Sequence, residues 1–198
     1  MAQAGTKDLA PPGAGLPSFE LFIARRLFRW KRRFWSRDRV EREFRDERRE
    51  IRQWIDGCPQ DDRGKRVLIR RLPGLEDSSR DWSLWMTLDH LRICNRVFAG
   101  VMKGLVEDRA PDRAASTADV KPSPDVGPEV DDAYEKACDD FLATVADLSD
   151  LATRTRYAHP WFGPLDAAGW HLLAAVHMGI HRRQIESIRL GVEPRVAQ

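Results

Sequence analysis

The stretch WHLLAAVHMGIHRRQIESIRL, residues 170–190, is the clearest indicator of the fold class, because its apolar residues recur at the spacing of one helical face. The stripe comprises Trp170, Ala174, His177, His181, Gln184 and Ile188. The pattern predicts a helix over residues 167–190, with Asp166 as its N-cap and Gly191 as its end. A helix with one such stripe buries that side against other helices.

Three more helical patterns precede this one, and two of them lie before residue 107. No Pro or Gly interrupts residues 19–55, which predicts one long helix or two abutting helices that end at Gly57, a residue able to adopt positive φ. Residues 82–106 predict the next helix, capped by Asp81 or Ser83. Its predicted inward stripe is Met86, His90, Ile93, Val97 and Val101.

A long polar connection separates the last two helices from the first two. Residues 107–130 contain four prolines and cannot continue a helix, so they predict a surface crossover loop. The crossover allows the next predicted helix, residues 131–154, to lie parallel to the helix before it. The short connector 157–165 makes the last two helices antiparallel neighbours. Because no alternating run is long enough for a sheet, we predict an all-α four-helix bundle.

The chain divides into parts of different composition. Residues 1–17 are rich in Pro, Gly and Ala and predict a flexible tail. Residues 18–36 predict a basic, amphipathic helical extension, and residues 37–192 the bundle, with the 107–130 crossover loop inside it.

Composition excludes several classes of protein. Lys and Arg exceed Asp and Glu by only two, so no global charge points to nucleic acid. Hydrophobic residues make up 42% and charged residues 32%, which excludes wholesale disorder and multispan membrane proteins. No stretch has the roughly 20 apolar residues of a membrane span, and no leader is evident. Three cysteines without CxxC spacing favour a reducing cytoplasm.

Three histidines make the most specific site hypothesis. His177 and His181 stand four residues apart on one helical face, and His90 lies on the inward stripe of the 82–106 helix. Facing helices of a bundle can bring such side chains together around a metal ion. Imidazole suits zinc, nickel, copper and iron, and three protein ligands leave coordination positions open. The alternative is that these histidines are packed in the bundle without a metal. Cys94 is a competing metal ligand, or it is only a small buried apolar side chain.

The other polar residues are less specific indicators of a functional site. His159 and His171 do not share the stripe, and we interpret both as structural or exposed. Gln184 lines the pocket or makes an interhelical hydrogen bond. Asp89 adjoins His90 but projects around the helix from it, and Glu186 has the same difficulty relative to His181. Neither is therefore assigned as a general base, and the catalytic residues stay unknown.

Two stretches together resemble a known family. DWSLWMTLDHL, residues 81–91, and HPWFGPLDAAGWHLLAAVHMGIHRRQI, residues 159–185, resemble the DinB-like (DinB/YfiT) four-helix-bundle superfamily, which is distinct from the DNA polymerase of that name. The resemblance spans about residues 66–190. It implies an up-down-down-up bundle and a divalent metal, most often zinc or nickel, on His90, His177 and His181. In some members it implies thiol transfer, isomerisation or hydrolysis.

Three functions follow as hypotheses. The first is a metal-dependent enzyme of the thiol S-transferase or hydrolase type, acting on a small molecule such as a low-molecular-weight thiol. The second is a non-catalytic helical binding or regulatory module, with a structural metal or none, and a homo-oligomer fits either reading. The third starts from LFIARRLFRWKRRFW, residues 21–35, whose basic and aromatic residues are typical of helices on anionic membranes or nucleic acid. The alternative, which we favour, is a basic helix that packs its aromatics on the bundle or on a second subunit.

Overall fold

The computed structural model describes residues 9–192. The helices are α1 Ser18–Phe34, α2 Arg37–Asp56, α3 Gln60–Arg63, α4 Leu84–Val106, α5 Val130–Asp147 and α6 Ala167–Val192. Four short strands form two antiparallel pairs, which are β1 Val67–Leu68 with β2 Asp81–Trp82 and β3 Tyr157–His159 with β4 Gly163–Leu165. In this part of the chain, no helix is both long and apolar enough to cross a bilayer.

Side-chain contacts show how the four long helices α2, α4, α5 and α6 run. Helices α4 and α6 are antiparallel, because His90 contacts His181 and Phe98 contacts Trp170. Helices α2 and α5 are also antiparallel, because Arg37 contacts Val145 and Arg48 contacts Asp139. Helices α2 and α6 are parallel, because Glu47 contacts Arg182 and Gly57, just after α2, contacts Arg189. Helices α2 and α6 therefore run one way and α4 and α5 the other. This is the predicted up-down-down-up bundle.

The crossover loop between α4 and α5 is held down by buried polar contacts. The buried carboxylate of Asp89 accepts a hydrogen bond from the Ser123 backbone N–H at 3.0 Å and pairs with Arg92. A 3₁₀ turn, Thr117–Val120, presents the Val120 carbonyl to His90. Asp89, which the sequence analysis did not assign as a general base, therefore anchors the loop beside the predicted metal site.

Helix ends follow local capping where a side chain can reach the backbone. Ser83 caps α4 by accepting a hydrogen bond from the Met86 backbone N–H at 3.1 Å. Asp166 caps α6, as predicted, through the Gly169 backbone N–H at 2.8 Å. The predicted 19–55 segment is two helices, because Ser36 caps α2 after a break at extended Trp35.

Two predicted boundaries are wrong, and the predicted end at Gly57 is right for a different reason. Helix α5 ends at Asp147 rather than at residue 154, because Leu151 is buried and its carbonyl accepts a hydrogen bond from the Ala168 backbone N–H at 2.8 Å, at the start of α6. Gly57 follows α2 at φ −71°, so positive φ is not the reason that this helix ends. Gly191 does not end α6, which continues to Val192. The two strand pairs were also not predicted.

The segment before α2 is attached to the bundle. Phe28 of α1 stacks on Phe162 with ring centroids 4.4 Å apart, and Arg32 forms an ion pair with Asp166. Ahead of α1, the backbone N–H groups of Gly13 and Gly15 donate hydrogen bonds to the buried carboxylate of Glu76. This part of the predicted tail is therefore bound to the bundle, while residues 1–8 of that tail lie outside the described residues.

Candidate metal centre

Three histidines from two antiparallel helices converge inside the bundle. His90 comes from α4, and His177 and His181 come from successive turns of α6. One nitrogen from each ring lies within 4.8 Å of one from each of the others. The Nε2 atoms of His90 and His177 are 3.1 Å apart. His90, at least 87 positions earlier in the chain, thus meets the two histidines of α6 at one point.

The hydrogen bond of His90 directs its free nitrogen toward the cluster. Its Nδ1 lies 2.6 Å from the carbonyl oxygen of Val120, which can only accept, so Nδ1 carries the proton. In the neutral ring Nε2 is then the unprotonated nitrogen, and it faces His177. Trp82 packs beside the ring, with centroids 5.1 Å apart. The crossover loop therefore sets the tautomer of a histidine on α4.

His181 has an equivalent partner in Gln184. The His181 Nδ1 lies 2.6 Å from Gln184 Oε1, and Gln184 Nε2 donates to the Ser79 carbonyl at 2.7 Å. Because the amide nitrogen is committed to Ser79, the amide oxygen accepts from His181 and leaves the Nε2 lone pair for the cluster. Gln184 is wholly buried and positions His181; it is neither a pocket residue nor a simple interhelical bond as the sequence suggested.

Burial keeps the three rings neutral. Desolvation lowers the pKa of His90 to about 4 from 6.5, against a smaller opposite effect of the hydrogen bond to Val120. Burial, reinforced by the neighbouring imidazoles, moves the pKa values of His177 and His181 well below the ordinary value. Neutral imidazole is the form that binds a metal, so no proton has to leave at neutral pH.

The arrangement fits a divalent ion. Two nitrogens on one tetrahedral zinc at bonds of about 2.0–2.1 Å lie about 3.3 Å apart, close to the 3.1 Å between His90 and His177. Two rings have the hydrogen-bonded Nδ1 that is typical of zinc-binding histidines. The buried Nδ1 of His177 has no hydrogen-bond partner among the described residues. The donor set is all nitrogen, which suits zinc and nickel as well as copper and iron.

A cavity of about 660 Å³ leads to the three rings. Its walls come from α1, the crossover loop, α4, the β3–β4 connection and α6, and they are mostly apolar. Phe98 and Trp170 line it, and Phe98 meets the His177 ring edge-to-face at 5.5 Å. The volume is that of a small-molecule site. The imidazole cluster is therefore reachable from a pocket.

The structure also shows where the other two histidines lie. His159, which we interpreted as structural or exposed, lines the same cavity through the β3–β4 connection, and its Nδ1 accepts a hydrogen bond from the Trp161 backbone N–H at 3.2 Å. That bond places the proton of the neutral ring on Nε2. His171 is buried away from the cavity, near Phe141.

Cys94 lies beside the cluster but does not complete it. Its Sγ is 3.7 Å from His90 Nε2, yet the ligand set that the described residues form contains only the three histidines. Burial raises the pKa of the Cys94 thiol, so it stays protonated. Glu186 faces Arg182 at 3.6 Å and is absent from the cavity wall.

Comparison with known proteins agrees with this architecture. The sequence matches the DinB superfamily over residues 43–185, which is more than half of the chain. A solved structure described as TT2238, a four-helix bundle protein, is similar with a TM-score of 0.57 at 18% identity, over 76% of this chain and 98% of that one. No curated protein matches. The family match and the shared bundle together show that the chain belongs to the DinB superfamily.

Proposed function

We propose that this protein is a divalent-metal-dependent enzyme of the thiol S-transferase or hydrolase type, with His90, His177 and His181 as its metal ligands. One observation carries the proposal: three neutral imidazoles meet within 4.8 Å at a cavity of about 660 Å³. A purely structural zinc site is closed by four protein ligands, whereas three leave a position for a substrate. Zinc or nickel is the proposed ion.

A bound divalent ion supplies Lewis-acid chemistry, which lowers the pKa of a water or thiol so that it is nucleophilic at neutral pH. The chain's own residues hold and orient the ligands. Val120 and Gln184 keep the protons of His90 and His181 on Nδ1. The apolar walls around Phe98 limit water, and His159 Nε2–H offers a hydrogen bond to a polar group of a substrate in the cavity.

The substrate is proposed to be a small molecule, with a low-molecular-weight thiol as one reactant. Such thiols and a reducing cytoplasm fit the buried, protonated Cys94 and Cys138, whose pKa values burial raises. A homo-oligomer stays a prediction, which light scattering of the purified protein would test.

The second candidate is a non-catalytic module in which a metal stabilises the fold. One observation favours it: the cluster is tied to the crossover loop through Val120 and to the segment before α4 through Ser79. Chelation separates the two candidates. A chelator that leaves the far-ultraviolet circular dichroism unchanged at 25 °C favours the enzyme, and one that unfolds the bundle favours the structural role.

Elemental analysis tests the ligand assignment. The native protein should retain one zinc or nickel per chain, and the His90→Ala, His177→Ala, His181→Ala triple variant should retain none. His171→Ala is the matched control, because His171 is equally buried but outside the cluster. A triple variant with full metal content would contradict the assignment.

Activity tests the reaction class. The metal-loaded protein is assayed for conjugation of cysteine-containing bacterial thiols with 1-chloro-2,4-dinitrobenzene, and for hydrolysis of p-nitrophenyl acetate. We expect one of these reactions to disappear on chelation and to return with zinc or nickel, and to be absent from the triple variant. Metal binding without any reaction across a broad thiol and ester panel favours the second candidate.

A further inference from the structure

Helix α1 carries an apolar face that the bundle does not cover. Its members recur at spacings of three or four residues and are all exposed: Phe19, Ile23, Leu27, Trp30 and Phe34. We call them the α1 stripe. Phe19 is 74% exposed, Trp30 53% and Phe34 64%, although Phe28 on another side of the same helix is buried against Phe162. Large exposed aromatics in one row mark an interaction surface.

The flank of the stripe is basic and not neutralised. Arg26, Arg29 and Arg33 are exposed, and none of them forms an ion pair within residues 9–192. The guanidinium groups of Arg26 and Arg33 lie over the rings of Phe22 and Phe34, at 5.7 and 5.8 Å from the centroids. The helix carries six basic residues and one acidic residue in all. Its outer surface therefore combines aromatic rings with uncompensated positive charge.

We propose that α1 binds the surface of an anionic lipid bilayer, with the α1 stripe in the headgroup region and the arginines on lipid phosphates. Interfacial helices have this combination of a basic polar face and aromatic or leucine side chains. Charge favours this occupant over a second copy of the chain, because an anionic surface neutralises the exposed arginines of α1, whereas a second copy adds further positive charge. A helix of 17 residues lies in the surface plane along its whole length, about 26 Å.

The cavity opens beside this surface. Ile23 and Leu27 belong to the α1 stripe and also line the cavity, together with half-exposed Val97 of α4. Membrane binding through the stripe therefore places the cavity mouth next to the lipid. The inference stands on α1 alone and does not depend on the metal or on a reaction.

Vesicle sedimentation of the full chain tests the proposal. We expect binding to vesicles of equal parts phosphatidylglycerol and phosphatidylcholine, with at least about tenfold weaker partitioning to pure phosphatidylcholine or at 0.5 M salt. The Trp30→Ser, Phe34→Ser variant and the Arg26→Gln, Arg29→Gln, Arg33→Gln variant should each lose about tenfold or more.

Matched variants outside α1 control for general loss of charge or apolar surface. Leu190→Ser removes an exposed apolar side chain from α6, and Arg96→Gln, Arg154→Gln, Arg156→Gln removes three exposed arginines elsewhere. Both should bind like the native chain, and all variants should keep its thermal unfolding midpoint. Equal losses from the two arginine variants would overturn the proposal. An absence of vesicle binding would also overturn the proposal. If the chain is then a dimer in solution and the Trp30→Ser, Phe34→Ser variant is a monomer, the α1 stripe binds a second copy of the chain instead.

Discussion

Acid should destabilise the metal-free protein well above the pH at which carboxylates protonate. His90, His171 and His181 are each at most 6% exposed, and burial lowers the pKa of His90 and of His171 to about 4 and that of His181 well below 6.5. The unfolded chain, in which histidine has a pKa of about 6.5, therefore binds more protons than the folded chain below that pH. The free energy of unfolding must fall as the pH falls from 7 toward 4.

The size of the effect follows from these pKa values. His90 and His171, each with a pKa of about 4, each lower the free energy of unfolding by about 2 kcal/mol between pH 7 and pH 5, so the two together contribute about 4 kcal/mol, and His181 adds to this loss in the same direction. This is comparable to the whole stability of a typical domain, about 5–15 kcal/mol. The carboxylates with lowered pKa, Glu76, Asp77 and Asp139, are ionised at pH 5 in the folded chain and mostly ionised in the unfolded chain, so they contribute little in this range.

Urea unfolding at pH 7, 6 and 5 with a chelator present measures this loss, with the fluorescence of the seven tryptophans as the signal. His171→Leu is the discriminating variant, because it removes one buried histidine without touching the metal ligands. Between pH 7 and pH 5, the free energy of unfolding of His171→Leu should fall by about 2 kcal/mol less than that of the native chain. A free energy of unfolding that is constant from pH 7 to 5, or an unchanged loss in His171→Leu, would refute the reasoning.

Three further predictions concern single side chains. Gln184→Leu should lower metal affinity by about 10- to 100-fold, because His181 loses its acceptor; competition with a chromogenic chelator measures the loss. Phe44→Ala should cost about 3–5 kcal/mol in urea unfolding, whereas exposed Phe22→Ala should change stability by less than about 0.5 kcal/mol. Cys94, a buried thiol of raised pKa, should react with iodoacetamide at pH 7 at least about 100-fold more slowly in the native protein than in urea; similar rates would contradict its assigned protonation and burial.

The parts of the site that share one helix were predictable. His177 and His181 stand four residues apart, so periodicity alone places them on one face, and His90 lies on the inward stripe of its own helix. The long crossover also predicted parallel α4 and α5. The family resemblance added the expectation that these histidines meet and that the bundle runs up-down-down-up, and the fold and the family are both confirmed.

The parts that depend on irregular backbone were not predictable. His159 sits in a connector without periodicity, and only the antiparallel pairing of β3 and β4 brings it to the cavity. The role of Gln184 depends on Ser79, 105 residues earlier in the chain. The end of α5 depends on Leu151, whose burial and bond to Ala168 outweigh a local sequence that can continue as helix. Capping by Asp166 was predictable because its partner is three residues away.

The sequence alone is enough to show which faces of the long helices are apolar and that three imidazoles lie on such faces, since both follow from a period of 3.6 residues. Only the tertiary structure shows which nitrogen of His90 and of His181 is available to bind a metal ion. The reason is that Val120 and Ser79 come from segments whose positions no local pattern encodes. The tertiary structure alone also left the α1 stripe uncovered. Local chemistry sets the preferences of each helix, but burial and hydrogen bonding between distant segments depend on the packing of the whole chain.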